Sequence, residues 1–190
     1  IDLLAQAESE GLSVTYLADH VDTIDSDPHF WHDPIRMSRA ADLIADALGR
    51  TTEYPAELEQ LDREVEDLLS GIPDERRFLV TGHDSFDYFA DRYGFEVLAT
   101  IIPGGGSLGS PSSADLAALV GLIEQHAVPA IFVESTSSPE FAEMLASEVG
   151  RPVEVVALAS DSLGAPGSDT ATYIDLIRFN AGAIAMALGS

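Results

Sequence analysis

Apolar positions change rhythm along this chain near residue 76. Before that point they recur mainly at helical spacing; beyond it, short apolar runs alternate with helical stretches. Residues 1–10 read as the close of a helix, and SVTYLA (13–18) as a short strand. The spacing predicts a helix over 35–48, with Gly49 suited to its C-terminal stop. Pro55 opens the next helix, where Leu58, Leu61, Val65, Leu68 and Leu69 fall on one stripe until Gly71 and Pro73 end it. Four strands are then predicted, at RFLVTG (77–82), EVLATII (96–102), AIFVES (130–135) and VEVVALAS (153–160). Helical patterns follow each: DSFDYFADRYG ending at Gly94, residues 112–126, SPEFAEMLASEVG with Pro139 in its first turn, and about 170–188. Strand–helix units with short connections specify an α/β fold, a four-stranded parallel sheet flanked by helices on both faces.

The segment before residue 50 differs in kind. SVTYLA has no sequence-local partner, and an isolated strand cannot satisfy its own backbone groups. It reads as the last strand of another α/β lobe, the rest of which would precede Ile1.

Charge narrows the function classes. Among 190 residues the net charge is −24, and all nine basic residues are arginine. Such a surface repels nucleic-acid phosphates and anionic lipid headgroups and attracts cations. Most of its carboxylates are accounted for as solvation in concentrated salt, where the Debye length falls to about 3 Å at 1 M; the composition is of a halophilic type. No window approaches the roughly 20 apolar residues of a membrane span. Cysteine is absent, which removes disulfides, thiolate catalysis and thiolate zinc sites together. Any metal would be held by imidazole and carboxylate.

Two of the five histidines lie in DPHFWHDP (27–34), a loop stiffened by a proline near each end. Ligands of open parallel sheets bind beyond the carboxyl ends of the strands. There this chain carries His83 after the first predicted sheet strand, Glu134 at the end of the third and Asp161 after the fourth. Asp19 and His20 follow SVTYLA and lead to the stiff loop. Two imidazoles with a carboxylate form a ligand set for zinc, manganese or ferrous iron. From the residues alone His32 competes with His29, and Asp169 with Asp161. His126 is explained by its place at a helix C-terminus.

DPHFWHDP, VTGHDSFDYFADRYG, VES at a strand end, and SDSLG followed by TYIDLIRFNAGAI together resemble, in order and spacing, the metal-binding solute-binding proteins of zinc and manganese ABC importers. The resemblance covers essentially the whole chain. It implies two α/β lobes joined by one long helix, with the metal in the cleft between them. Carried over by position, it implies metal ligands at His29, His83 and Asp161, with a fourth ligand expected from a first lobe. The implied division is a tail of the N-terminal lobe over 1–50, a linking helix within 51–76 and a C-terminal α/β lobe over 77–190. His32 stands where the family usually has an apolar residue. The implied role is extracytoplasmic capture of Zn2+, with Mn2+ as the alternative, and delivery to an ABC importer permease from a lipid-anchored or periplasmic position. Such a protein is not an enzyme. Apolar surface left on residues 1–50 is a candidate dimer contact.

Two alternatives come from the residues themselves. Gly104, Gly106 and Gly109 fit the G-x-G-x-x-G of a dinucleotide-binding domain, with Glu134 near where a ribose-binding acid belongs. Against it, Ser110 as N-cap and Pro111 at the first helical position would leave the glycines in an extended loop, away from the helix terminus that binds pyrophosphate. A zinc-dependent hydrolase could use an open coordination position, but no HExxH is present.

Overall fold

The computed structural model describes residues 3–25, 27–102, 112–135 and 138–189. Helices α1 (Leu3–Ser9), α2 (Pro34–Ala47) and α3 (Tyr54–Leu69) come first. They are followed by β1 (Phe78–Thr81), α4 (Asp87–Tyr93), β2 (Glu96–Thr100), α5 (Ser113–Gln125), β3 (Ala130–Glu134), α6 (Glu140–Glu148), β4 (Glu154–Leu158) and α7 (Tyr173–Leu188). None of the described helices is long and apolar enough to cross a membrane.

All four strands pair in parallel in the order β2-β1-β3-β4. Each face of the sheet carries its own core. On one, Leu79 and Phe132 pack with Leu58, Leu61, Val65 and Leu69 of α3, Phe89 of α4 and Ile177 and Ile184 of α7. On the other, Val80, Ile131 and Val133 pack with Ile123 of α5 and Leu145 of α6. The alternation of side chains along each strand therefore feeds two cores, and the strands read as unbroken apolar runs. Helix α3 also packs on α2 and α7. Its stripe is narrower than the spacing predicts, because Leu68 is 48% exposed while Leu69 is buried.

Local chemistry sets the ends. Asp33 caps α2 by accepting from the Ile35 and Arg36 amides, at 2.7 and 3.3 Å. Gly49, at φ 60°, and Gly94, at φ 70°, take the left-handed conformation that ends α2 and α4. Helix α5 starts later than predicted. Ser112, not Ser110, is its N-cap, in a reciprocal capping box with Asp115. Pro139 precedes α6 as its N-cap residue instead of entering the first turn. The glycine motif at 104–109 lies outside the described residues.

SVTYLA is not a strand. Residues 12–16 carry no regular secondary structure and no ladder partners, and Leu17–His20 form a single 3-10 turn. Among the described residues no strand lies beside this segment. β-propensity alone does not make a strand where nothing accepts its hydrogen bonds.

Two polar clamps hold the sheet to its helices. Arg77 donates to the carbonyls of Ile72, Tyr93 and Leu69 at 3.2, 2.7 and 2.9 Å, satisfying groups at the ends of α3 and α4. Asn180 of α7, 1% exposed, both accepts from the Ala159 amide at 2.8 Å and donates to its carbonyl at 2.6 Å. That bond pair fixes the chain as it leaves β4. Asn180→Ala strands both backbone groups in a dry interior, and we expect a loss of about 3 kcal/mol, measured by urea denaturation; a loss within experimental error would show that the clamp is dispensable.

Candidate metal centre

The strand order places β1 and β3 side by side, with β2 on the far side of one and β4 on the far side of the other. The connections leave in opposite directions from this point, and a crevice opens beyond the carboxyl ends. His83 follows β1 and Glu134 ends β3, so both stand at the crevice. Asp161 follows β4 and reaches the same edge. The DPHFWHDP loop closes it from the side.

That loop is tied on several sides. The Trp31 indole donates to the Ser160 carbonyl at 2.9 Å, and the Tyr173 hydroxyl donates to the Trp31 carbonyl at 2.8 Å. The Tyr88 hydroxyl donates to the Asp27 carbonyl at 2.7 Å and accepts from the Ile24 amide at 2.8 Å. Trp31 therefore links the loop bearing His29 directly to the residue before Asp161. Residues 30–32 form a 3-10 turn, and Asp33 then caps α2.

His29, His83 and Asp161 converge. Each offers one ligand atom, and those atoms all lie within 4.8 Å of one another. His29 Nε2 is 3.8 Å from Asp161 Oδ1, and His83 Nε2 is 3.5 Å from Asp161 Oδ2. The two imidazole centroids are 5.4 Å apart in an edge-on arrangement. Their side chains are about 15% exposed, whereas that of Asp161 is 57% exposed. The histidines thus form the floor and Asp161 the solvent-facing lip.

The opposite ring edges are also engaged. Asp27 Oδ1 accepts from the His29 amide at 3.0 Å and contacts His29 Nδ1. Glu134 Oε1 accepts from the His83 amide at 3.2 Å and faces His83 Nδ1 at 2.5 Å. The Glu134 hydrogen bond is the main reason that the pKa of His83 is raised, against a smaller opposing effect of burial.

Other candidate residues stand elsewhere. Asp169 lines a shallow surface depression with Asp175 and Arg178, and among the described residues it belongs to no metal-competent group. His20 is exposed in the 3-10 turn, and His126 sits edge-on to Phe78 at the end of α5. Glu134 addresses His83 and is not part of the triad. The share that Asp27 and Trp31 take in shaping the cluster was hidden in the sequence; a carboxylate two residues before a histidine in a proline-fenced loop was its only signal.

His32 is buried completely, stacked 4.4 Å from the Phe86 ring, and neither ring nitrogen has a hydrogen-bond partner. It lies outside the triad. Burial, with smaller contributions from His29 and His83, lowers its pKa from 6.5 to about 3. The unfolded chain therefore takes up this proton first. The stability contributed by neutral His32 is intact above about 6.5 and is lost as pH falls from there toward about 3. We expect His32→Leu to stabilise the protein by about 1 kcal/mol near neutrality, because it removes unpaired buried nitrogens. Its advantage over wild type should widen by up to about 1.4 kcal/mol per pH unit between about pH 6 and about pH 4. Denaturation across that range measures both, and a constant difference would refute the account of His32.

A parallel α/β lobe with such a cluster at the carboxyl edge is the architecture of a metal-type solute-binding protein. The chain belongs to the ZnuA family, "Zinc-uptake complex component A periplasmic", whose profile matches residues 3–187. The family is one of solute-binding proteins and is non-enzymatic. The chain is 33% identical over 178 residues to the zinc-binding protein TroA of Treponema pallidum, covering 85% of this chain and 57% of that protein. It is 33% identical over 178 residues to the manganese-binding lipoprotein MntA of Bacillus subtilis, covering 85% and 58%. The solved structure of the periplasmic zinc binding protein TroA matches with a TM-score of 0.84 at 27% identity, covering 100% of this chain and 76% of that one. The chain thus spans somewhat over half the length of the curated relatives it matches.

Proposed function

We propose that this protein captures a divalent transition metal, zinc in preference to manganese, through His29 Nε2, His83 Nε2 and Asp161, for delivery to an ABC importer outside the cytoplasmic membrane. The single observation that carries the reading is the spacing of the three ligand atoms. Donors each about 2.1 Å from a tetrahedral zinc stand roughly 3.4 Å apart. The imidazoles stand 3.8 and 3.5 Å from the two different oxygens of Asp161, and all three ligand atoms lie within 4.8 Å of one another, so a turn of the carboxylate and a contraction of no more than about 1.4 Å reach that spacing. Two borderline-soft imidazoles against one carboxylate favour zinc over the harder manganese ion, which prefers oxygen.

The family and its relatives support the capture role, since the matched proteins include a zinc binder and a manganese binder. Three protein donors leave one position of a tetrahedral ion for a further ligand. In this reading residues 1–50 are the tail of a first lobe, α3 lies in the linker of 51–76, and residues 77–190 are the second lobe.

Calorimetric titration tests the assignment. Wild type should bind zinc more tightly than manganese, and His83→Ala should weaken zinc binding by at least about 100-fold, as loss of a directly coordinating group exceeds the effect of losing its supporting partner. Bound zinc should also raise the melting temperature, whereas NAD should leave it unchanged. Equal zinc affinities for wild type and His83→Ala would remove His83 from the site; a preference for manganese would overturn the choice of cargo.

A further inference from the structure

We propose that Asp27 and Glu134 are a matched pair of positioning residues, each locking one histidine in the tautomer that presents Nε2 to the cluster. The proposal rests on the capture reading above. Its basis is a repeated geometry. In each case one carboxylate oxygen serves both the backbone amide and the Nδ1 of the same histidine: Asp27 Oδ1 for His29 and Glu134 Oε1 for His83. An ionised carboxylate only accepts hydrogen bonds, so Nδ1 must carry the ring proton. A neutral imidazole protonated at Nδ1 has its free lone pair at Nε2. Those are the two nitrogens that face Asp161. Anchoring the amide along with the ring also fixes the rotation of the ring relative to its own backbone.

The two anchors arise differently. Asp27 is two residues from its histidine in the stiff loop, whereas Glu134 reaches His83 across the sheet from the adjacent strand. This second approach depends on Gly82. A Cβ at that position would lie 2.9 Å from both carboxylate oxygens of Glu134. The glycine is therefore the space in which the anchoring carboxylate sits. Gly82→Ala retains every charge and displaces the carboxylate.

An alanine at 134 removes the acceptor of the Nδ1 proton altogether, whereas a glutamine keeps its oxygen toward the His83 amide and so still accepts from Nδ1–H. Without an acceptor nothing holds the ring proton on Nδ1, and its transfer to Nε2 blocks the ligand atom. Loss of such a supporting partner weakens metal binding by about 10–100-fold. We therefore expect this range for zinc titrated into Glu134→Ala and into Asp27→Ala, with Gly82→Ala moving in the same direction. The tautomers are read directly from imidazole nitrogen NMR shifts of the metal-free protein. Above the raised pKa of His83, where both rings are neutral, His29 and His83 should both be Nδ1–H in wild type, and His83 should shift toward Nε2–H in Glu134→Ala, a change that a purely structural role would not cause. The wild-type spectrum needs no variant to fold, and Nε2–H tautomers there would overturn the proposal. Zinc affinity unchanged in Glu134→Ala but lost in His83→Ala would overturn the positioning role while leaving capture intact. Affinity unchanged in both would sink the ligand assignment and the proposal with it.

Discussion

Parallel strands point all their carboxyl ends one way, and everything functional in this molecule depends on that constraint. Because the order is β2-β1-β3-β4, the chain leaves the two central strands in opposite directions and cannot fill the space between them. His83 and Glu134 are the residues that stand there. Neither is brought to the other by local sequence; they are 51 positions apart. The hydrogen bond between them exists because Thr81 of β1 is in register with Phe132 of β3, which brings His83, two residues on, opposite Glu134 at the end of β3. The two hydrophobic cores, one on each face, hold that register.

The third and fourth participants come from outside the central strands, and their placement has to be held by polar contacts. The DPHFWHDP loop belongs to no sheet. It is moored by Tyr88 from α4 and by Tyr173 from α7, while its own Trp31 reaches Ser160 beyond β4. Asn180 of α7 holds Ala159, one residue further back. Helix α7 thus secures both the loop that carries His29 and the segment that carries Asp161. A short chain of hydrogen bonds to backbone atoms sets the distance across the cluster. Such bonds confer geometry more than net stability, since each replaces one that water would have made.

Much of this was legible beforehand. The helix and strand pattern after residue 76 follows from apolar runs that alternate with helical spacing, because the sheet contributes side chains to a core on each face, with the central strands β1 and β3 the most buried. His29, His83 and Asp161 were readable as candidates because strand ends and a proline-fenced loop are positions where topology, rather than propensity, directs a side chain. What failed has a common cause. SVTYLA, Leu68 and Ser110 fit their expected roles by local composition, yet among the described residues no strand lies beside the first, the second is left half exposed, and Ser112 takes the cap in place of the third. The buried, unpartnered state of His32 was equally hidden, since a histidine between Trp31 and Asp33 gives no sign that Phe86 will cover it. Pairing of Glu134 with His83 required the strand order, and apolar periodicity carries no information about which strands become neighbours.

In the proposed capture reading, the acidic surface and the cluster divide the work of selecting a cation. A net charge of −24 raises the local concentration of every cation, sodium as well as zinc, and its reach shrinks as salt rises. Long-range attraction therefore cannot discriminate between ions. Discrimination has to arise where the ion loses its water, and there the lip and floor differ in chemistry. Asp161, largely exposed, is a hard oxygen donor that any arriving divalent ion can meet while still hydrated. The imidazoles behind it are mostly buried, and an ion reaches them only by giving up water for nitrogen. Imidazole nitrogen is a poor substitute for water around hard ions such as calcium and magnesium and a good one around borderline transition metals. In the proposed capture reading, an ordering with carboxylate outside and nitrogen inside is what would turn an unselective electrostatic funnel into a selective site.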